Sequence, residues 1–314
     1  MKWILGSSIM AIAMGWAATA TIPAATITPD EATLKFLPPE TQGIVFIDVA
    51  ALRSAPLVQD ALKTGTTSLS GGQLGEFIAA TGFDPRRDVD NVTVGKIGDR
   101  GVLAIVQGRI DKFQLEQFFR DKGKEPEAYL GQTLYRDGDG AFVCLNNLVL
   151  MGQVDIVKKA IEQMSLPGSL PLRSDLMAAI QTLEAGNQVW AVGDFSPRDL
   201  RAAGVRGPAP VVELLKSLQG GTYQMRVDTD IHARGVGTFA DAESANNLSQ
   251  MASGLIAVAK LQVAKQQPDL LHVLDGIKVS SNGSSLTVTI DESGDLLKKL
   301  TQYYRPTIEK RNLQ

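Results

Sequence analysis

Cysteine is all but missing from this chain. Cys144 is the only one in 314 residues, so no disulfide can form within the chain and a cysteine-built zinc site is excluded. Cys144 sits in Ala141-Phe142-Val143-Cys144-Leu145, where it reads as a small buried hydrophobe rather than a reactive thiol. Histidine is nearly as scarce: only His232 and His272 occur, neither at metal-ligand spacing, so imidazole acid–base chemistry has two candidates and no motif around either. An excess of one charge is lacking too. The formal net charge of −3 gives no basic field for nucleic acid and little attraction to anionic lipid.

Catalytic signatures are also missing. There is no G-x-S-x-G elbow and no Walker or Rossmann glycine pattern at a strand-to-helix junction, so nothing supports a nucleotide cofactor. The Ser68-Leu69-Ser70-Gly71-Gly72 loop is rich in glycine and serine, but no base stands beside it in sequence. Asp137-Gly138-Asp139-Gly140 invites a calcium reading, yet no carboxylate occurs from Phe142 to Leu150, where a calcium loop needs its glutamate. Asp-Gly is the dipeptide of a tight hairpin. The sequence therefore nominates no catalytic, cofactor-binding or metal-binding residue.

What is present begins with residues 1–20, MKWILGSSIMAIAMGWAATA. Lys2 precedes an uncharged, largely apolar run that ends in Ala18-Thr19-Ala20, the order of a secretory signal peptide with an A-x-A cleavage site. The run is shorter than the roughly 20 residues of a spanning helix, so no stable transmembrane span is expected after cleavage. The expected mature chain starts near Thr21, is exported to a periplasmic or extracellular space of a bacterium, and carries a charge of −4 once Lys2 is lost. Hydrophobic content of 44% and charged content of 21% are those of a globular protein, large enough to hold itself together by burial.

Beyond a lead-in at 21–42, the chain reads as two passes through one pattern, 43–164 and 174–304, separated by a linker at 165–173 and followed by a basic tail at 305–314. In the first pass, a strand at Gly43–Val49 leads to two short helices and two strands, Asn91–Lys96 and Gly101–Gly108. Asp111 then offers an N-cap to a helix at Lys112–Lys122, a hairpin turns at Asp137–Gly140, and a strand enters a helix at Val154–Met164. In the second pass, a strand at Gln188–Phe195 is followed by strands Thr222–Asp228 and His232–Phe239. Asp241 caps a long helix to about Gln266, a hairpin turns at Ser281–Ser284, and a helix at Gly294–Tyr304 closes the chain. Asp48 matches Asp194, Asp111 matches Asp241, and the two hairpins match, at unequal spacings that require an insertion or deletion. Strand pairs with tight turns followed by a helix predict an α+β fold: two divergent repeats of mostly antiparallel sheet, ferredoxin-like or related, with helices packed on one face.

Leu37-Pro38-Pro39-Glu40 before Ile44-Val45-Phe46-Ile47-Asp48-Val49, and Gly82-Phe83-Asp84-Pro85-Arg86-Arg87-Asp88-Val89-Asp90 before a strand, resemble exported bacterial α+β proteins of unassigned function. Val189-Trp190-Ala191-Val192-Gly193 continues that resemblance into the second half. The resemblance implies fold and location and brings no activity. On the residues themselves, Asp84-Pro85 is turn punctuation.

The helix at 242–266 has no charge from Ser244 to Val258 and a broad apolar arc that includes Leu248, Met251, Leu255 and Val258. Such a helix either packs in the core or lines an apolar groove. Three functions follow as expectations. The first is a non-enzymatic binding or scaffold protein for an unknown protein or amphiphilic ligand. The second is a carrier of an apolar or amphiphilic ligand under that helix, with Leu248, Met251, Leu255 and Val258 as its groove. The third is a hydrolase in which Ser68, Ser70 or Asp84 meets a Lys, His or Glu from a distant segment.

Overall fold

Strands that are apolar at consecutive positions must be covered on both sides, whereas alternating strands need cover on one side only. Ala141-Phe142-Val143-Cys144-Leu145 is buried throughout, while Ile277 to Asn282 alternates between half-buried and exposed. That contrast organises the whole molecule. The computed structural model describes residues 31–64, 72–99, 101–164, 172–194, 213, 215–264, 267–296 and 298–299. The signal segment, the Ser68 and Ser70 loop, most of the linker and the basic tail lie outside the described residues.

In chain order the elements are α1 (Glu31–Leu34), β1 (Thr41–Asp48), α2 (Val49–Ser54), α3 (Pro56–Thr64), α4 (Gly72–Thr81), α5 (Pro85–Asp88), β2 (Val89–Ile97), β3 (Gly101–Gly108) and α6 (Lys112–Asp121). There follow β4 (Pro126–Tyr129), β5 (Gln132–Asp137), β6 (Gly140–Leu145), β7 (Leu148–Gln153), α7 (Val154–Met164), α8 (Ser174–Gln181), β8 (Val189–Gly193), β9 (Leu218–Val227) and β10 (Asp230–Phe239). The last are α9 (Ala242–Val263), α10 (Pro268–Gly276), β11 (Ile277–Asn282) and β12 (Ser285–Ser293). Residues 294–296 and 298–299 are helical.

All twelve strands form one sheet in the order β11-β12-β10-β9-β8-β1-β2-β3-β7-β6-β5-β4, and every neighbouring pair is antiparallel. The molecule is therefore α+β with a large antiparallel sheet. In a ferredoxin-like unit a third strand lies between the two strands that each helix joins; the order β1-β2-β3-β7-β6 instead sets β1, β2 and β3 side by side in sequence order, and that finer description is not confirmed. The two stretches of strand order, β1-β2-β3-β7-β6 and β8-β9-β10-β12-β11, meet where β1 pairs with β8. At this seam Phe46 lies opposite Trp190, their rings stacked with centroids 5.3 Å apart. Gly193 lies opposite Gly43. Gly193 has φ +136°, and a Cβ on it would stand 2.3 Å from the Gly43 Cα, so only glycine fits there.

The expectation that helices pack on one face is corrected by the core. Leu134, Val143, Leu145 and Leu150 pack against Ile156, Val157 and Ile161 of α7 and Leu176 and Ile180 of α8. Their neighbours along the strands, Tyr135, Phe142, Cys144 and Val149, pack on the other side against Phe77 of α4 and Leu115, Phe118 and Phe119 of α6. Because strand side chains alternate, helices cover both faces of this half. The physical reason is the apolar character of β5–β7 on both sides. In the other half, Phe239 and Leu286 pack against Ala245 and Leu248 of α9, which lies on the same face as α4 and α6. On the opposite face of β9, β10 and β12 no helix among the described residues is packed.

The helices α6 and α9 start at the predicted caps, and two further aspartates cap α2 and α5. Asp48, Asp84, Asp111 and Asp241 accept from Ala51 N, Arg86 N, Gln114 N and Ser244 N at the starts of α2, α5, α6 and α9, satisfying otherwise orphaned amides. Asp194 instead accepts from the Arg173 guanidinium at 2.8 Å. Three short elements, α1, α2 and β4, and the separate helix α10 were not anticipated from sequence. The edge strand β4 carries Pro126 and Glu127, both of which discourage further pairing.

Candidate functional site

The uncovered face carries polar side chains in register. Arg226 of β9 pairs with His232 of β10, and His232 pairs with Asp291 of β12, so these three form one row across the sheet. The next row runs Gln224, Arg234, Thr289 and Lys278 of β11, and the next Thr222, Val236, Thr287 and Ser280. Apolar partners of these residues, such as Met225, Val227 and Ala233, point the other way into a core cluster.

One wall of the site is the turn between α8 and β8. Glu184 N donates to Gln224 Oε1 at 2.9 Å, and Asn187 Nδ2 donates to Glu184 O at 2.7 Å. Gln188 extends the sheet with its side chain: its Nε2 donates to Val227 O at 3.2 Å and its Oε1 accepts from Val227 N at 2.8 Å. Buried Asn187, Gln188 and Gln224 thus satisfy backbone groups that would otherwise be costly to bury. The turn and the strands form a groove of about 400 Å³ lined by Glu184, Asn187, Gln224, Arg226, His232, Arg234, Thr287, Thr289 and Asp291.

Charges in the groove are only partly engaged. His232 Nδ1 and Asp291 Oδ1 are 2.9 Å apart, which leaves Nε2 of the ring free to face a ligand. Arg226 Nε contacts Asp228 Oδ2 at 3.2 Å. Arg234 reaches Glu184 at 3.5 Å, at the outer limit of a hydrogen bond. Among the described residues, the hydroxyls of Thr287 and Thr289 have no hydrogen-bond partner and Lys278 has no ion pair. Such an arrangement can bind a polar ligand through several donors at once. Among the described residues, no group of three His, Cys, Asp or Glu side chains is placed to hold a metal ion.

Sequence reasoning did not find this groove. The available signal was the alternation of Gln224 and Arg226, of His232 and Arg234, and of Thr287, Thr289 and Asp291 with intervening apolar residues such as Met225, Ala233, Val288 and Ile290. The residues it did name are dispersed. Leu248 is buried against Phe239, Ala245 and Leu286, while Met251 is half-buried. Leu255 and Val258 are 45% and 53% exposed, and Leu261, one turn further, is 79% exposed. Asp84 is held by Arg86 in a side-chain ion pair at 2.7 Å, and the guanidinium keeps its carboxyl below the usual aspartate range. It sits in a cap beside Asp88, itself gripped by Arg87 and Arg109. His272 is exposed on α10. Cys144 is buried, and desolvation pushes its thiol up to about 12.

Compared with known proteins, the chain matches no protein-family profile and no curated protein. Its fold is similar to that of TP0453. Crystal form I of that protein superposes with a TM-score of 0.51 at 10% identity, covering 87% of this chain and 96% of that one. Crystal form III gives 0.50 at 10% identity, covering 88% and 96%. At that identity the likeness defines a fold and nothing further. Among the described residues no helix is long and apolar enough to cross a membrane.

Proposed function

We propose that the chain is an exported binding protein, built from a duplicated α+β unit and acting without turnover chemistry, whose ligand lies on the uncovered polar face of β9, β10 and β12. The observation that carries this reading is the contrast between the two faces. Among the described residues, helices cover the sheet over its main apolar clusters, whereas this area presents ordered, incompletely paired polar groups around a groove. The matching strand orders on the two sides of the seam support the duplication, and residues 1–20 support export to a periplasmic or extracellular space.

A second reading is favoured by one observation. Leu255, Val258 and Leu261 are exposed at three-residue spacing on α9, a stripe suited to an amphiphile. Native mass spectrometry on mature protein purified from the exported fraction, with parallel lipid extraction, separates the two. A copurifying polar molecule released by Arg234→Gln supports the groove. A copurifying amphiphile released instead by Leu255→Ser with Val258→Ser overturns the groove in favour of the carrier.

A further inference from the structure

We propose that the groove seats an oxyanion, the carboxylate or phosphate group of a small ligand, against Arg234, Thr287 and Thr289, with Lys278 beside the groove in the same row. This deepens the reading above and rests on the uncovered face being the ligand site. The register places Arg234, Thr289 and Lys278 side by side on β10, β12 and β11. With strands about 4.8 Å apart, two long cations flank a threonine hydroxyl, and Thr287 stands one row away on the same face. An oxygen-bearing group above Thr289 accepts from both hydroxyls and from both cations. Hydrogen bonds between charged donors and an anion are about twice as strong as neutral ones, and a guanidinium matches the paired oxygens of carboxylate or phosphate.

The acids nearby do not cancel this site. Asp228 pairs with Arg226, and Asp291 is hydrogen-bonded to the His232 ring one row away from Arg234 and Thr289. Among the described residues Glu184 is the one acid that reaches Arg234, at 3.5 Å and from a side chain 67% exposed, so an incoming anion displaces a weak contact. Among the described residues, Lys278, Thr287 and Thr289 make no side-chain hydrogen bond or ion pair, and Arg234 makes only that one contact. Removing them leaves the core untouched, because all four lie on the uncovered face.

The test is a threonine-methyl and amide NMR titration of the mature chain with three probes: inorganic phosphate, trigalacturonate and uncharged maltotriose. Phosphate or trigalacturonate is expected to shift the Thr287 and Thr289 signals, and Arg234→Gln and Lys278→Gln are each expected to weaken that binding about tenfold. A response to phosphate alone assigns a phosphate-bearing ligand; a response to trigalacturonate alone assigns a carboxylated saccharide. If maltotriose shifts the same signals as strongly and both variants bind unchanged, the oxyanion is overturned while the groove stands. If no probe shifts them, the oxyanion is overturned, and footprinting without a chosen ligand judges the groove separately.

Discussion

Replacing Phe46 by alanine tests whether the two halves are joined as one sheet. Phe46 is 3% exposed on β1 and stacks on Trp190 of β8, also 3% exposed. Losing a buried phenylalanine costs about 3–5 kcal/mol in lost burial and residual cavity, within which the ring stacking accounts for about 0.5–1.5 kcal/mol. With a urea m-value of about 3 kcal/mol per M for a large domain, the midpoint falls by about 1 M or more. The assay is built in: once residues 1–20 are removed, Trp190 is the sole tryptophan, so its fluorescence reports on the seam itself. In the unaltered protein, Trp190 emission and far-UV circular dichroism should give coincident transitions, and Phe46→Ala should lower both together. A loss under about 1 kcal/mol, too small for filling a buried site, refutes the packing argument. Two separated transitions refute the single cooperative sheet.

Gly193→Ala should destabilise the same seam, because its φ of +136° and the 2.3 Å approach to Gly43 leave no room for a methyl group; an unchanged thermal midpoint contradicts this. Cys144 should resist thiol reagents in the native state, its thiol pushed up to about 12 by burial, and should react only as the protein unfolds; rapid native labelling counts against its buried position. Glu292 is buried with Oε1 unpartnered and lies against the end of α10, where a Cβ on Gly276 would stand 2.3 Å away. Burial, with Asp291 and Asp275 nearby, raises its pKa. An acid whose folded pKa is raised loses stability as pH climbs from its unfolded value, near 4.5, through the folded one. Glu292→Gln should therefore match the parent protein near pH 4 and exceed it near pH 7 in urea unfolding; a variant weaker at pH 7 sinks the argument.

How much was legible in the sequence depended on which force acted. Caps are local, so Asp111 and Asp241 announced their helices, and Val154–Met164 was placed to the residue. Hairpins at Asp137–Gly140 and Ser281–Ser284 were equally local. The closing of both halves into a single sheet was not legible, because it rests on Val45, Phe46 and Ile47 meeting Val189, Trp190 and Ala191 across more than a hundred residues. Cover on both faces was written in the unbroken apolar run Ala141 to Leu145, which is also what one-sided packing cannot satisfy. The groove was written in the alternation of β9, β10 and β12. It escaped notice because its residues make no motif in any one segment and converge only through strand register.

The central claim is that the ligand lies on the uncovered face. Hydroxyl-radical footprinting of the mature chain, with and without the small-molecule fraction of the cell envelope, tests it without choosing a ligand. The account predicts protection in peptides from β10 and β12 around His232, Arg234, Thr287 and Thr289, with α9 unchanged. Protection confined to α9 around Leu255, Val258 and Leu261 would contradict it.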